Sequence, residues 1–260
     1  MMTGTAAGVP FTALPPTGGG PAPLLVTWHM LDAPRTDAAF AAALPMHEVP
    51  AWRVHLGMPM CGARMVDGST AAVEALMRKD PLMSFLAPFV RQAVDEFPAA
   101  LDSLRTQLPV GTGPIGVLGG SLGGAVTLQV LAGTDIPIAA AAVVNAAVRM
   151  RSVVDLFGEY QYDAESARAV DDLDFVARSN EIANRAPLLV VSGELDHPAL
   201  RADALDLVDA LGCELRSIPG LAHPLADEPG LEPALQLPLA RTVDQALTTW
   251  FTQHLGPVPS

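Results

Sequence analysis

The sequence predicts an α/β fold with a mostly parallel central sheet flanked by helices, on three observations. Short apolar runs bounded by Gly, Pro or Asp recur along the 260-residue chain. Stretches with apolar residues at helical spacing separate them, so strand and helix alternate as crossover-connected parallel sheets require. Several of the runs, "LLVTWHML", "IPIAAAAVVN" and "APLLVVSG" among them, are apolar throughout, the pattern of strands covered on both faces.

The elements follow in order. Residues 1–23 end in the breaker-rich "PPTGGGPAP" and are expected to be flexible or loosely packed. "LLVTWHML" reads as a buried strand, "TDAAFAAALP" as a helix stopped by Pro45, and "AWRVHL" as a second strand. After the loop "GMPMCGARMVDGS", residues 81–108 read as a long helical segment interrupted or kinked near Pro88 and Pro98. Then come "PIGVLG" as a strand, "SLGGAVTLQVLAG" as a turn into a helix, and "IPIAAAAVVN" as a strand. Residues 149–185 are more polar and fall between two strand–helix units, so they read as a short cap insertion within a single domain spanning 1–260. "APLLVVSG" is the next strand, and "PALRADALDLVDALG" is a helix ended by Gly212. "CELRSIPG" is the last strand and "LARTVDQALTTWFTQHLG" an amphipathic closing helix.

Half of the residues are apolar and 17% are charged, enough for a large core. A net charge of −13 argues against nucleic acid or an anionic membrane surface as a partner, because either needs a basic face. Cys61 and Cys213 lie far apart and form no CxxC pair, so neither zinc nor a disulfide framework is indicated. The N-terminus lacks a basic segment followed by a continuous apolar one, and no stretch resembles a membrane span. A cytoplasmic location is the simplest expectation. Nothing in the sequence fixes an oligomeric state, and a homodimer is left open.

Gly119-Gly120-Ser121-Leu122-Gly123 fits G-x-S-x-G between a strand-like and a helix-like stretch. A serine at a sharp strand-to-helix turn projects its hydroxyl outward, and glycines two before and two after remove side chains that would collide. The following helix N-terminus favours a developing oxyanion. Such a serine needs a base, and the base needs an orienting acid, in the chain order Ser, Asp or Glu, His. Asp196 follows the strand "APLLVVSG", with Glu194 as its rival, and His223 follows the last strand. All three sit where strands of an open parallel sheet end, the edge at which such sheets collect their active sites.

With these residues the chain resembles an α/β-hydrolase of the serine esterase, dienelactone-hydrolase-like and prolyl-oligopeptidase-like group. The stretches "LLVTWHML", "GVLGGSLGG", "PLLVVSGELDHP" and "IPGLAHPL" carry the resemblance, which covers the chain from Leu24 to the closing helix. It implies the α/β-hydrolase fold, with Ser121 as nucleophile, Asp196 as acid and His223 as base. It also implies an oxyanion hole of two backbone N–H groups, one from Leu122 and the other from Leu31, with Met30 the alternative. His29 matches the histidine of the family's His-Gly motif, usually structural. Met30 stands where glycine is usual, which suggests a bulky wall beside the serine.

Met58, Met60 and Met65 either line an apolar pocket or fill the core. Phe157, Tyr160, Tyr162 and Phe175 of the cap either line an entrance or pack the cap onto the sheet. Met58, Met60, Phe157 and Tyr160 are taken as the candidate substrate pocket. The expected reaction is hydrolysis of a small to medium carboxylic ester through an acyl-enzyme, with no metal or organic cofactor. A thioesterase or amidase on the same residues is the alternative, as is a non-catalytic binding protein of the same fold.

Overall fold

The computed structural model describes residues 1–17 and 21–256. Gly18, Gly19 and Gly20 of the expected N-terminal linker, and residues 257–260, lie outside the described residues. The chain opens with an antiparallel pair, β1 (Met2–Ala6) and β2 (Val9–Leu14), then continues through β3 (Leu24–Trp28), α1 (Asp37–Ala43) and β4 (Trp52–Leu56). Helix α2 (Ala71–Lys79) and a π turn over Pro81–Leu86 lead into α3 (Ala87–Gln107), β5 (Ile115–Gly120) and α4 (Leu122–Gly133). After β6 (Ile138–Val144), three short helices form the insertion, α5 (Met150–Asp155), α6 (Ala164–Asp171) and α7 (Ser179–Ile182). The chain then runs through β7 (Leu188–Gly193), α8 (Pro198–Leu211), β8 (Glu214–Ile218) and α9 (Pro238–Leu255).

These strands form one eight-stranded sheet in the order β1-β2-β4-β3-β5-β6-β7-β8. From β4 to β8 the pairing is parallel, as the apolar runs predict, and the β1–β2 and β2–β4 pairs are antiparallel. Alternate residues of each strand feed opposite faces. On one face Val117, Ala141, Val143 and Val190 meet Phe89, Phe97, Leu128 and Leu207 from α3, α4 and α8. On the other, Leu118, Ala142, Val144 and Val191 meet Phe40, Leu247, Trp250 and Phe251 from α1 and α9. β5 and β6 meet the glycine- and alanine-rich α4, so helix and sheet approach closely where the serine turn lies.

The structure departs from the sequence expectations at three places. Within the segment expected to be loose, Met2–Ala6 and Val9–Leu14 form β1 and β2, which extend the sheet. Phe11 and Ala13 are buried, and Phe11 pairs opposite Leu56 on β4. The hairpin escapes a sequence reading because Gly4, Gly8 and Pro10 interrupt its apolar pattern. Secondly, α3 runs through Pro98 without interruption, while the irregularity expected near Pro88 is the π turn immediately ahead of it. The π turn ahead of it is capped by Asp80, whose Oδ1 accepts from the N–H of Leu82 (3.0 Å) and of Met83 (2.8 Å). Thirdly, α2 is a helix that the sequence does not announce: none of its residues is buried, so its apolar stripe is only Val73, Leu76 and Met77. Among the described residues no helix is long and apolar enough to cross a membrane.

If the hairpin is part of the folded core, Phe11→Ala lowers unfolding stability by about 3 kcal/mol or more. The same truncation at the exposed Met2 changes it by less than about 0.5 kcal/mol. Urea unfolding of both variants checks this, and equal effects would mean that the hairpin contributes no core.

Candidate active site

Ser121 stands between the last residue of β5 and the first of α4, at φ 50 and ψ −119. Positive φ is costly for a residue with a Cβ, by about 1–3 kcal/mol, so the surroundings have to hold it there. They do so from β6 and the loop after it: the Ser121 N–H donates to Val144 O at 3.0 Å, and Ser121 O accepts from Ala147 N at 3.0 Å. The motif glycines let the backbones close in. A Cβ on Gly119 would lie 1.9 Å from Gly123 O, and one on Gly123 would lie 2.3 Å from Trp28 O.

His223 lies in the loop after β8, with Nε2 2.9 Å from Ser121 Oγ and Nδ1 2.8 Å from Asp196 Oδ1. Asp196 is buried after β7, and its Oδ1 also accepts from the His197 N–H at 2.6 Å. Its rival Glu194 is exposed and meets the Ser217 hydroxyl at 3.3 Å, away from His223. The three residues expected to act together are therefore brought into one hydrogen-bonded line, with Asp196 in the acid position.

Two residues not expected from the sequence complete this line. Asn145 ends β6 at φ 45, wholly enclosed. Its Nδ2 donates to Ala222 O and His223 O, both at 3.0 Å, and its Oδ1 accepts from Gly193 N at 2.8 Å. One side chain thus ties the end of β6 to the end of β7 and to the histidine loop. The asparagine closing "IPIAAAAVVN" is the available signal, a polar residue where an apolar strand meets the active edge. The second is Asp32, next to Leu31, whose Oδ2 lies 3.3 Å from His223 Nε2. Nothing in its sequence neighbourhood distinguishes it from an ordinary loop aspartate.

His223 therefore faces a carboxylate at each ring nitrogen. Burial by itself pushes its pKa down, but the hydrogen-bonded Asp196 and the nearby Asp32 carboxylate outweigh burial and raise it to about 9. The His223 contact in turn holds the Asp32 carboxyl below its usual range. His29 has the opposite environment: burial lowers its pKa to about 4. Its Nε2 accepts from the Met58 N–H at 3.0 Å, so Nδ1 carries the proton and donates to Met30 O at 2.6 Å. It is a neutral strut joining the loops after β3 and β4.

Leu122 is the first residue of α4, so its N–H has no intrahelical acceptor. The Leu31 N–H likewise has no acceptor among the described residues. Both residues line a cavity of about 770 Å³ that opens onto Ser121 and His223. Met30 does not: its side chain is wholly buried on the far side of the elbow, beside Gly120 and Phe40, so it builds no wall next to the serine.

Of the four residues expected in the pocket, Met60 and Phe157 line the cavity, joined by Met65. Met58 is wholly buried in the core. Tyr160 is turned aside, its hydroxyl donating to Asp80 Oδ1 at 3.0 Å, so it fixes the insertion to the cap of the π turn. Phe175 is core and Tyr162 lies against Tyr160. The cavity has two walls, one from the insertion (Val153, Leu156, Phe157) and one from α2 (Val73, Met77).

Two outcomes follow from this geometry. Only neutral His223 accepts a proton from Ser121, so labelling of Ser121 by a fluorophosphonate is expected to speed up with pH through a midpoint near 9. A midpoint at the ordinary histidine value of 6.5 would contradict the two-carboxylate environment. Asn145→Val removes the side-chain partner of the buried Gly193 N–H and of the part-buried carbonyls of Ala222 and His223. It lowers stability by about 1–3 kcal/mol, as thermal unfolding would show.

Residues 91–223 match the prolyl oligopeptidase family, a span that contains Ser121, Asp196 and His223. No curated protein sequence matches the chain significantly. Among solved structures, TT1662 of Thermus thermophilus aligns with a TM-score of 0.64 at 19% identity, over 96% of this chain and 99% of its own. A puromycin-hydrolyzing peptidase of Mycobacterium tuberculosis aligns at 0.67 and 17% identity, over 99% of this chain and 40% of its own. An S-formylglutathione hydrolase of Staphylococcus aureus aligns at 0.59 and 15% identity, over 98% and 97%. The chain thus spans about two fifths of the length of the mycobacterial peptidase. These likenesses show a shared α/β-hydrolase fold, and the family match covers more than half of the sequence. The chain belongs to the prolyl oligopeptidase family of serine hydrolases.

Proposed function

We propose that this hydrolase cleaves small to medium carboxylic esters through an acyl-enzyme. The observation that carries the reading is the line Ser121–His223–Asp196, opening directly onto a 770 Å³ cavity with mostly apolar walls. His223 takes the Ser121 proton as Oγ attacks the ester carbonyl, and Asp196 steadies the imidazolium that forms. The N–H groups of Leu122 and Leu31 hold the oxyanion. His223 then protonates the departing alcohol, and water activated by the same ring releases the acid. These side chains and water suffice for both half-reactions.

Amide hydrolysis is the second reading, favoured by the family's association with peptides and using the same groups. The walls favour the ester. Leu31, Met60, Val73, Met77, Leu156 and Phe157 suit an apolar acyl or alkoxy group. A peptide backbone brings several polar groups that would lose their hydration there. The intact hydrogen-bonded line supports an enzyme over a binding protein, and we place its work in the cytoplasm, on a small-molecule ester.

A p-nitrophenyl ester panel from acetyl to decanoyl, set beside peptide p-nitroanilides, tests this. Ser121→Ala lowers kcat/KM on the best ester at least about a thousandfold. Val73→Trp, on an exposed helix that tolerates the change, narrows the cavity and lowers kcat/KM for the longer acyl chains by about tenfold relative to acetyl. Turnover of the anilides but not the esters would replace the first reading by the second.

A further inference from the structure

Asp32 is the charged group at the catalytic end of the cavity that the ester mechanism leaves without a task. Its Oδ2 lies 3.3 Å from His223 Nε2, the nitrogen that hands a proton to the leaving group. Asp32 therefore stands on the leaving-group side of Ser121. In the substrate-free site the protonated imidazole gives Asp32 a partner. Once His223 is neutral, its single proton lies on Nδ1 toward Asp196, and Nε2 is an acceptor. Asp32 then faces a lone pair and has lost its closest counter-charge.

Arg35 also acts on Asp32 through space, but no ion pair joins the two among the described residues. The charged groups lining the cavity among the described residues are Asp32, Arg35 and Glu74, with His197 and His223 beside them. Arg35 Nη2 is held by Glu228 at 2.6 Å, and Glu74 sits on the α2 rim, bonded to the Thr70 hydroxyl and paired with Arg78. Asp32 is half-exposed, its side chain at 47%, so an entering group can reach it. Its neighbours in the cavity include Leu31 and Met60, apolar groups that screen less than water.

We propose that Asp32 is a specificity-determining residue that selects esters whose leaving group carries a positively charged nitrogen. The cation takes the place of the His223 imidazolium beside Asp32, which leaves the imidazole free to act as base. The chemistry is otherwise unchanged. Ser121 Oγ bonds to the carbonyl carbon, the carbon–alkoxy bond breaks, and the alcohol leaves with the proton from Nε2 and its cationic nitrogen intact. Anionic leaving groups are disfavoured by the same carboxylate, in keeping with the chain's net charge of −13. The proposal rests on Ser121 acting as an esterase nucleophile.

The test compares kcat/KM for butyrylcholine with that for 3,3-dimethylbutyl butyrate, its uncharged isostere, in the natural protein, Asp32→Asn and Asp32→Glu. The ratio of the two esters within each protein cancels general changes in rate. We expect the cationic-to-neutral ratio to fall about five- to tenfold in Asp32→Asn, the size of a partly screened contact between charges. Asp32→Glu keeps most of the preference, and 0.5 M salt shrinks it only where the carboxylate is present, at about a 4 Å Debye length. A ratio that is the same in the natural protein and Asp32→Asn overturns the assignment while leaving the esterase reading standing. If neither ester is cleaved and p-nitrophenyl esters are also inert, the esterase reading falls and this proposal with it.

Discussion

The backbone of Ser121 is the constraint on which the rest of the site depends. Held at φ 50, it turns the chain from β5 into α4 so tightly that the hydroxyl stands clear of both. That conformation survives because the neighbouring strand and the loop after it supply partners at Val144 and Ala147, and because Gly119 and Gly123 leave no side chain between the closing backbones. The strain is thus offset by sheet pairing and by close packing, both properties of the scaffold. A serine in a relaxed loop would point elsewhere on each fluctuation, and its histidine would have nothing fixed to serve.

A fixed serine is useful only if its partners hold the same precision, and they come from two other strand ends. Asn145 supplies that precision by joining β6 to Gly193 and to the backbone of His223. Asp196 is enclosed and oriented by the N–H of His197, so it presents one oxygen to Nδ1. Asp32 adds charge at the opposite ring nitrogen. Together the two carboxylates make His223 more basic than a histidine between one acid and a hydroxyl. With both carboxylates in place, the ring holds its proton more tightly than an ordinary histidine does.

The parallel half of the sheet is legible because β3, β5, β6 and β7 are predominantly apolar runs, as strands covered on both faces must be. Ser121, Asp196 and His223 are legible because the elbow has a local signature and the other two end strands in a fixed order. What escapes depends on long-range partners. Phe11 becomes core only when β2 meets β4, and Val73 and Met77 form a wall only when α2 faces the insertion. Met30 illustrates the same limit in reverse. Its bulk suggests a pocket wall, but the turn of the chain sends its side chain beneath Gly120. Asp32 carries no local signal at all, since its role arises from His223, far along the chain.

The central claim is that the folded chain makes Ser121 a nucleophile through His223. The most direct measurement is reaction with a fluorophosphonate, followed by peptide mass spectrometry to locate the adduct. The account predicts a single phosphonyl adduct on Ser121, forming faster as pH rises, and no adduct in folded His223→Ala on the same timescale. Failure of the natural protein to label, labelling at a different serine, or equal labelling without His223 would contradict it.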